Sequence, residues 1–319
     1  MTVSKCLAAA AIGVLTALPA RAEDTIRLGN SSTNAFPFVL PQVGIEKGIF
    51  AKHGIKLEVS SFAGGGRLIQ ALIGNSVDLA LGSGPEMASI AKGAPLQAVA
   101  AYAGPPLYLV MIVRTELPIK TVKDLKGATI GVSTAGSLTD WLARETSRRQ
   151  GWGPDGIHTK PLGAVPTLIS ALRTKQIDGM VTGNNTGWDL EAMGVARLVV
   201  NFGEVVQDFI IHVVYATNEI QQKNPDAVKR FLAGLFETVK YARANKAETV
   251  RIMAPGMGNP PEMVARVYDA TMPMFSDTGK FDPKALKVLA KSYVDMELVP
   301  TEPDMSKLYT EKFLPNGQM

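Results

Sequence analysis

Six residues in the first half of the chain return one hundred positions later in the same spacing. Leu68, Ile69, Ala71, Leu72, Val77 and Asp78 are echoed by Leu168, Ile169, Ala171, Leu172, Ile177 and Asp178, with Val77 against Ile177 the one difference. The first four positions of each copy fall at i, i+1, i+3 and i+4, the apolar stripe that a helix presents to a sheet. The segments that follow, 77–81 and 177–181, have the length of buried strands and end beside polar or glycine-containing turns. Two α/β units at a fixed offset predict a fold of two lobes of like construction.

Residues 1–22 set the compartment. Lys5, the apolar run from Cys6 to Leu18 and the small residues Ala20 and Ala22 around Arg21 read as a secretory signal peptide cleaved near Ala22. No later stretch reaches the roughly 18 apolar residues of a transmembrane helix, so a secreted, soluble chain without a stable membrane anchor is expected. Cys6 is the only cysteine of the 319 residues, and cleavage removes it. Disulfides, cysteine nucleophiles and thiolate metal sites are thereby excluded from the mature chain. Loss of Lys5 and Arg21 leaves 31 basic against 29 acidic residues, a net charge of +2 in place of +4. Basic and acidic residues are interleaved, which argues against a nucleic-acid partner.

Along the mature chain, strands are predicted near 25–30, 55–60, 77–81 and 96–101, with helices between them, the alternation of a mostly parallel sheet with crossover helices. The apolar run 107–113 is read as the strand that crosses into lobe two. The pattern restarts with strand 129–133, helix 138–150, strand 157–160 and the second copy of the echo. The segment 209–216 returns the chain to lobe one. Helices are then predicted over 225–244, 246–253, 261–271 and 283–294, and near 303–313. The lobes so defined are 23–105 plus 213–319, and 106–212, hinged at roughly 102–108 and 208–216.

Ligands of open parallel sheets bind beyond the carboxyl ends of the strands. Five loops there are rich in small polar residues: Ser31, Ser32 and Asn34; Gly65, Gly66 and Arg67; Ser83 and Gly84; Ser133, Thr134, Gly136 and Ser137; Asn184 and Asn185. Such loops let backbone approach a ligand, and free N–H groups at helix starts favour an anion. Arg67, in a first helical turn after three glycines, is either a carboxylate or sulfonate clamp or a solvated surface residue. Phe36, Tyr102 and Trp188 either pack on the ligand or belong to the core. Catalytic and metal-binding patterns are lacking: His53, His158 and His212 are scattered and read as structural, and no cofactor is called for. Asp78 and Asp178 read as caps or bridges, not as acid–base catalysts.

Glu46-Lys47-Gly48-Ile49-Phe50, His53-Gly54-Ile55 and Gly64-Gly65-Gly66 resemble the opening of periplasmic solute-binding proteins of the nitrate/sulfonate/taurine transport family. Asp124-Leu125-Lys126-Gly127, Ile130-Gly131-Val132-Ser133, Gly163-Ala164-Val165-Pro166, Trp188-Asp189-Leu190-Glu191 and the stretch from Asn224 to Asn245 continue the likeness. The resemblance implies the type II periplasmic-binding fold, two α/β lobes of mixed, mostly parallel sheets with two hinge crossings. It implies a periplasmic monomer that closes on a small organic anion and delivers it to an ABC permease and its ATPase. The ligand loops it implies are 31–36, 64–67, 82–85, 133–137 and 183–186. Gly183-Asn184-Asn185 stands where many relatives have a Ser-Pro-Pro-like turn, so ligand identity is the least transferable of these implications. Fold-related alternatives are pyrimidine synthases, which rely on a cysteine-rich segment, a sulfinate-cleaving enzyme with a catalytic cysteine, and periplasmic ligand sensors.

Overall fold

The segment after each echoed helix turns in the same way. Asn75 and Lys175, one hundred residues apart, take φ of 53° and 62°, and Ser76 and Gln176 then donate their N–H groups to Ala71 and Ala171. In the computed structural model, which describes residues 23–315, this likeness extends through whole lobes. The signal peptide read at 1–22 lies outside the described residues.

The first half comprises β1 (Asp24–Asn30), α1 (Phe36–Val39), α2 (Pro41–Glu46), α3 (Ile49–Lys52), β2 (Ile55–Ser61), α4 (Gly65–Ile73), β3 (Leu79–Ser83), α5 (Ala88–Ala91) and β4 (Leu96–Ala103). The second has β5 (Leu109–Arg114), β6 (Thr129–Val132), α6 (Leu138–Arg149), β7 (His158–Pro161), α7 (Val165–Arg173), β8 (Gly179–Gly183), α8 (Asn184–Ala192), β9 (Ala196–Asn201) and α9 (Phe202–Val205). The chain then returns through β10 (His212–Thr217) and closes with α10 (Asn218–Lys223), α11 (Pro225–Ala244), α12 (Lys246–Met257), α13 (Pro261–Thr271) and α14 (Pro283–Asp295).

Two five-stranded sheets result, ordered β2-β1-β3-β10-β4 and β7-β6-β8-β5-β9. Each takes its fourth strand from the segment that enters it from the other half. β10 runs antiparallel between β3 and β4, and β5 runs antiparallel between β8 and β9. The remaining pairings are parallel, which gives the mixed, mostly parallel α/β architecture expected. His212, placed by sequence at the end of lobe two, pairs with Ser83 as the first residue of β10 in the first sheet.

The echoed aspartates stitch the sheets. Asp78 Oδ2 accepts the Arg27 backbone N–H at 2.9 Å while the Arg27 guanidinium holds both carboxylate oxygens, at 3.0 and 2.6 Å. Asp178 Oδ2 accepts the Thr129 N–H at 2.9 Å, and the Arg114 guanidinium reaches Oδ1 at 3.1 Å. Glycines complete the correspondence: a Cβ on Gly29 would stand 2.6 Å from Leu68 Cδ1, and one on Gly131 2.7 Å from Leu168 Cδ2. The echoed leucines therefore lie directly on bare strand backbone, close packing that a larger residue would obstruct.

Four segments depart from the sequence reading. Between the first two strands, where helix is expected, Pro41 divides the chain into α1 and α2. The helix expected near 303–313 is reduced to a 3₁₀ turn at Met305–Lys307, after which Tyr309 bridges to Ala98 beside β4. β9 and α8 carry little local signal: most β9 side chains are only partly buried, and α8 begins with two asparagines. α11 forms as expected, with Pro225 in its first turn and the Asn224 side chain accepting the Ala227 N–H. Its Phe231, Leu232 and Leu235 pack in the core, where Phe231 stacks on Phe50 with ring centroids 5.8 Å apart.

Candidate functional site

The carboxyl ends of β1 and β3 face those of β6 and β8 across a cavity of about 450 Å³, within the range of small-molecule sites. Loops from both halves line it, so it lies between the two sheets. The halves also touch beside it: the Gly66 N–H donates to Thr134 Oγ1 at 3.1 Å, and a Cβ on Gly64 would meet Ser133 and Thr134 at about 3 Å. From the cavity lining, Asn185 Nδ2 donates to Asn259 Oδ1 at 2.7 Å, and outside the lining the Arg266 guanidinium lies 3.6 Å over the Trp188 ring. These contacts bring α8 against the C-terminal helices.

Of the residues picked from sequence, Ser31, Ser32, Asn34, Gly65, Ser83, Ser133, Ser137 and Asn185 line the cavity. The other nine stand outside its lining. Phe36 is buried against Phe275 and Tyr268, and Tyr102 is buried with its hydroxyl donating to the Pro37 carbonyl. Trp188 is the ring beneath Arg266. Gly66 and Thr134 are bonded to each other, and Gly136 donates its N–H to Asp140. Gly84 lies against the Ile210 carbonyl, and the Asn184 N–H is taken by Tyr108. Arg67 is exposed on α4. Gly65, the first residue of α4, belongs to the lining while Arg67, two residues on, points to solvent, and no Lys or Arg stands among the lining residues.

On the second half, Ser133 Oγ, Ser137 Oγ and Thr139 Oγ1 form a triangle of hydroxyls 3.0–3.1 Å apart at the start of α6. Their position follows from capping: Ser137 is the N-cap of α6, its Oγ accepting the Asp140 N–H. The first half presents Glu86 and His212, both buried and both absent from the sequence-derived site. Glu86 Oε2 accepts the Ser83 N–H at 2.8 Å. Burial pushes its carboxyl up to about 7, against the opposing pull of its bonds with Ser83. The spacing Ser83-x-x-Glu86 is a capping-box signal that could have drawn attention to it. His212 is pushed down to about 3 by burial, so it is neutral in the fold. Its only sequence signal is a titratable residue inside the apolar run 209–216. Phe38 and Tyr108 flank its ring, with centroids 4.9 and 5.6 Å away.

The arrangement can enclose a small molecule between polar groups of two sheets. Among the described residues no cluster of three or more His, Cys, Asp or Glu could hold a metal ion.

Comparison with known proteins bears on this geometry. The NMT1/THI5-like family profile matches residues 37–249. A Brucella abortus protein named provisionally as a binding protein is 28% identical over 215 residues, 66% of this chain and 65% of its own length. Among solved structures, the alkanesulfonate-binding protein SsuA of Xanthomonas axonopodis pv. citri, bound to MOPS, superposes with a TM-score of 0.77 at 19% identity, covering 91% of this chain and 99% of its own. The desulfurization enzyme DSZB superposes at 0.65 with 18% identity, covering 91% and 97%. At these identities the structures share the fold.

Proposed function

The chain belongs to the NMT1/THI5-like family, and on that premise we propose that it is a periplasmic solute-binding component of an ABC importer. The observation that carries this reading is the cavity of about 450 Å³ between two similarly built sheets, lined from both. A small organic molecule fits it, and two short passages, 104–108 and 206–211, join the halves and supply the hinge. In this reading residues 1–22 direct export, the monomer closes on its ligand, and the closed form is handed to a permease and its ATPase.

The lining favours binding over catalysis. It contains hydroxyls, amides and apolar side chains, and its two titratable side chains of ordinary catalytic type, Glu86 and His212, are each bonded to backbone. The sole cysteine of the sequence is Cys6, so residues 23–315 hold no thiol for the chemistry that the fold-related enzymes call on. The hydroxyl triangle at the start of the twelve-residue α6 supplies donors and a helix N-terminus for an acidic end of the ligand.

A melting-temperature screen of the mature chain across sulfonates, carboxylates, amines and nitrogen heterocycles tests the reading, with small-angle scattering of any hit. A ligand that raises the melting temperature and compacts the scattering envelope is expected. A turnover product in place of stable binding would assign the fold to an enzyme instead.

A further inference from the structure

His212 is 1% exposed and lines the cavity, and only one of its ring nitrogens has a partner. Nδ1 lies 3.1 Å from the Gly82 carbonyl oxygen. A carbonyl only accepts, so Nδ1 carries the hydrogen and Nε2 is left as a lone-pair acceptor. Nε2 is buried without any hydrogen-bond partner. Such an acceptor is costly to leave unmet, so native structures rarely keep one outside a site that something else completes.

The surroundings repeat the demand. The Glu86 carboxyl, also lining the cavity, is bonded through Oε2 to the adjoining residue of the same strand end, Ser83. Gly82 links the two: its carbonyl holds His212, and a Cβ on it would stand 2.5 Å from Glu86 Oε2. The flanking rings of Phe38 and Tyr108 belong to the lining as well. This end of the cavity thus sets the Nε2 acceptor and the Glu86 carboxyl among aromatic faces and has no cation.

We propose that the ligand carries a hydrogen-bond donor, an N–H group on a flat or short apolar body, and seats it on the first lobe against His212 Nε2 beside Glu86. This rests on the binding-protein reading and specifies its ligand class: amino, amide or amidine compounds, with any acidic end directed to the hydroxyls of Ser133, Ser137 and Thr139. A molecule of the same shape with a methyl group in place of the N–H leaves Nε2 desolvated and unmatched.

The test uses pairs that differ only in that exchange: 4-aminobenzenesulfonate against 4-methylbenzenesulfonate, and benzamide against acetophenone. Affinities for the wild-type chain are measured by calorimetric titration. The amino member is expected to bind at least tenfold more tightly, about 1.4 kcal/mol, and His212→Phe to erase most of that advantage. Equal or tighter binding of the methyl members overturns the proposal, as does discovery of a tight ligand without N–H or O–H groups. Either outcome leaves the binding-protein reading standing. A wide screen in which nothing binds would sink that reading and this inference together.

Discussion

The Glu86 carboxyl rests against the backbone of Gly65: a Cβ built on that glycine would stand 1.5 Å from Glu86 Oε1. The first turn of α4, which the sequence offers as a seat for an anion, therefore already has an acidic group of the chain itself against it. The Gly66 N–H is used as well, on Thr134. Of the two helix starts facing the cavity from the expected anion loops, the one on the second half, at α6, keeps hydroxyls turned to the cavity.

Gly65→Ala should force Glu86 aside and destabilise the chain by about 1–3 kcal/mol, the usual range for an overpacked core. Glu86→Ala should remove the obstruction, so the double variant should lose less than the two single losses combined by about 1 kcal/mol or more. Urea midpoints of the four proteins measure this coupling. Additive losses would mean the glycine matters for another reason.

Glu86 and His212 give stability opposite pH slopes. The raised Glu86 pKa makes its contribution full below about 4.5 and progressively lost as pH rises to about 7. The depressed His212 pKa makes its contribution full above about 6.5 and lost as pH falls toward about 3. Tyr108, Tyr215 and Tyr293 also face Glu86, but burial pushes their pKa values up, away from this window. Between pH 5 and 6.5 the two terms offset. From pH 5 to 8, wild type should lose about 2.5 kcal/mol relative to Glu86→Gln. Urea unfolding of both proteins at the two pH values tests it, and parallel profiles would count against a buried acid.

Arg67→Ala is expected to leave ligand affinity within about twofold and stability within about 0.5 kcal/mol. Its side chain is exposed and outside the cavity lining. Calorimetry with the first ligand identified decides it, a tenfold loss returning Arg67 to the role of anion clamp.

Trp188→Ala removes the ring on which the Arg266 guanidinium lies at 3.6 Å. That contact ties the second half to α13 and should contribute about 1 kcal/mol to the apposition of the lobes. The ligand-free variant should scatter as a more open particle than wild type. An identical radius of gyration would show that the hinge passages alone set the angle between the halves.

The doubling of the fold was legible because it depends on local periodicity. Leu68 and Leu168 lie in stripes of helical spacing, and Asp78 and Asp178 each precede a strand, so repeat, helices and most strands could be read from the chain. So could the loops at the strand ends, since small polar residues mark turns wherever the chain leaves a sheet. β9 escaped because most of its side chains are only partly buried, and α8 because Asn184 and Asn185 give no helical stripe.

The sequence by itself determined two α/β units, their order and the family to which they belong. Tertiary structure decided which members of each loop face the cavity. That choice turns on the direction of each side chain in its first helical turn, which sends Gly65 inward and Arg67 outward although they are two residues apart. It also decided the chemistry of the first lobe. Glu86 reaches the cavity through a 3₁₀ turn after β3, and His212 through a strand that arrives from 130 residues away to pair beside Gly82. A buried acceptor exists only where such distant segments meet and exclude water, and no local pattern in the chain encodes that meeting.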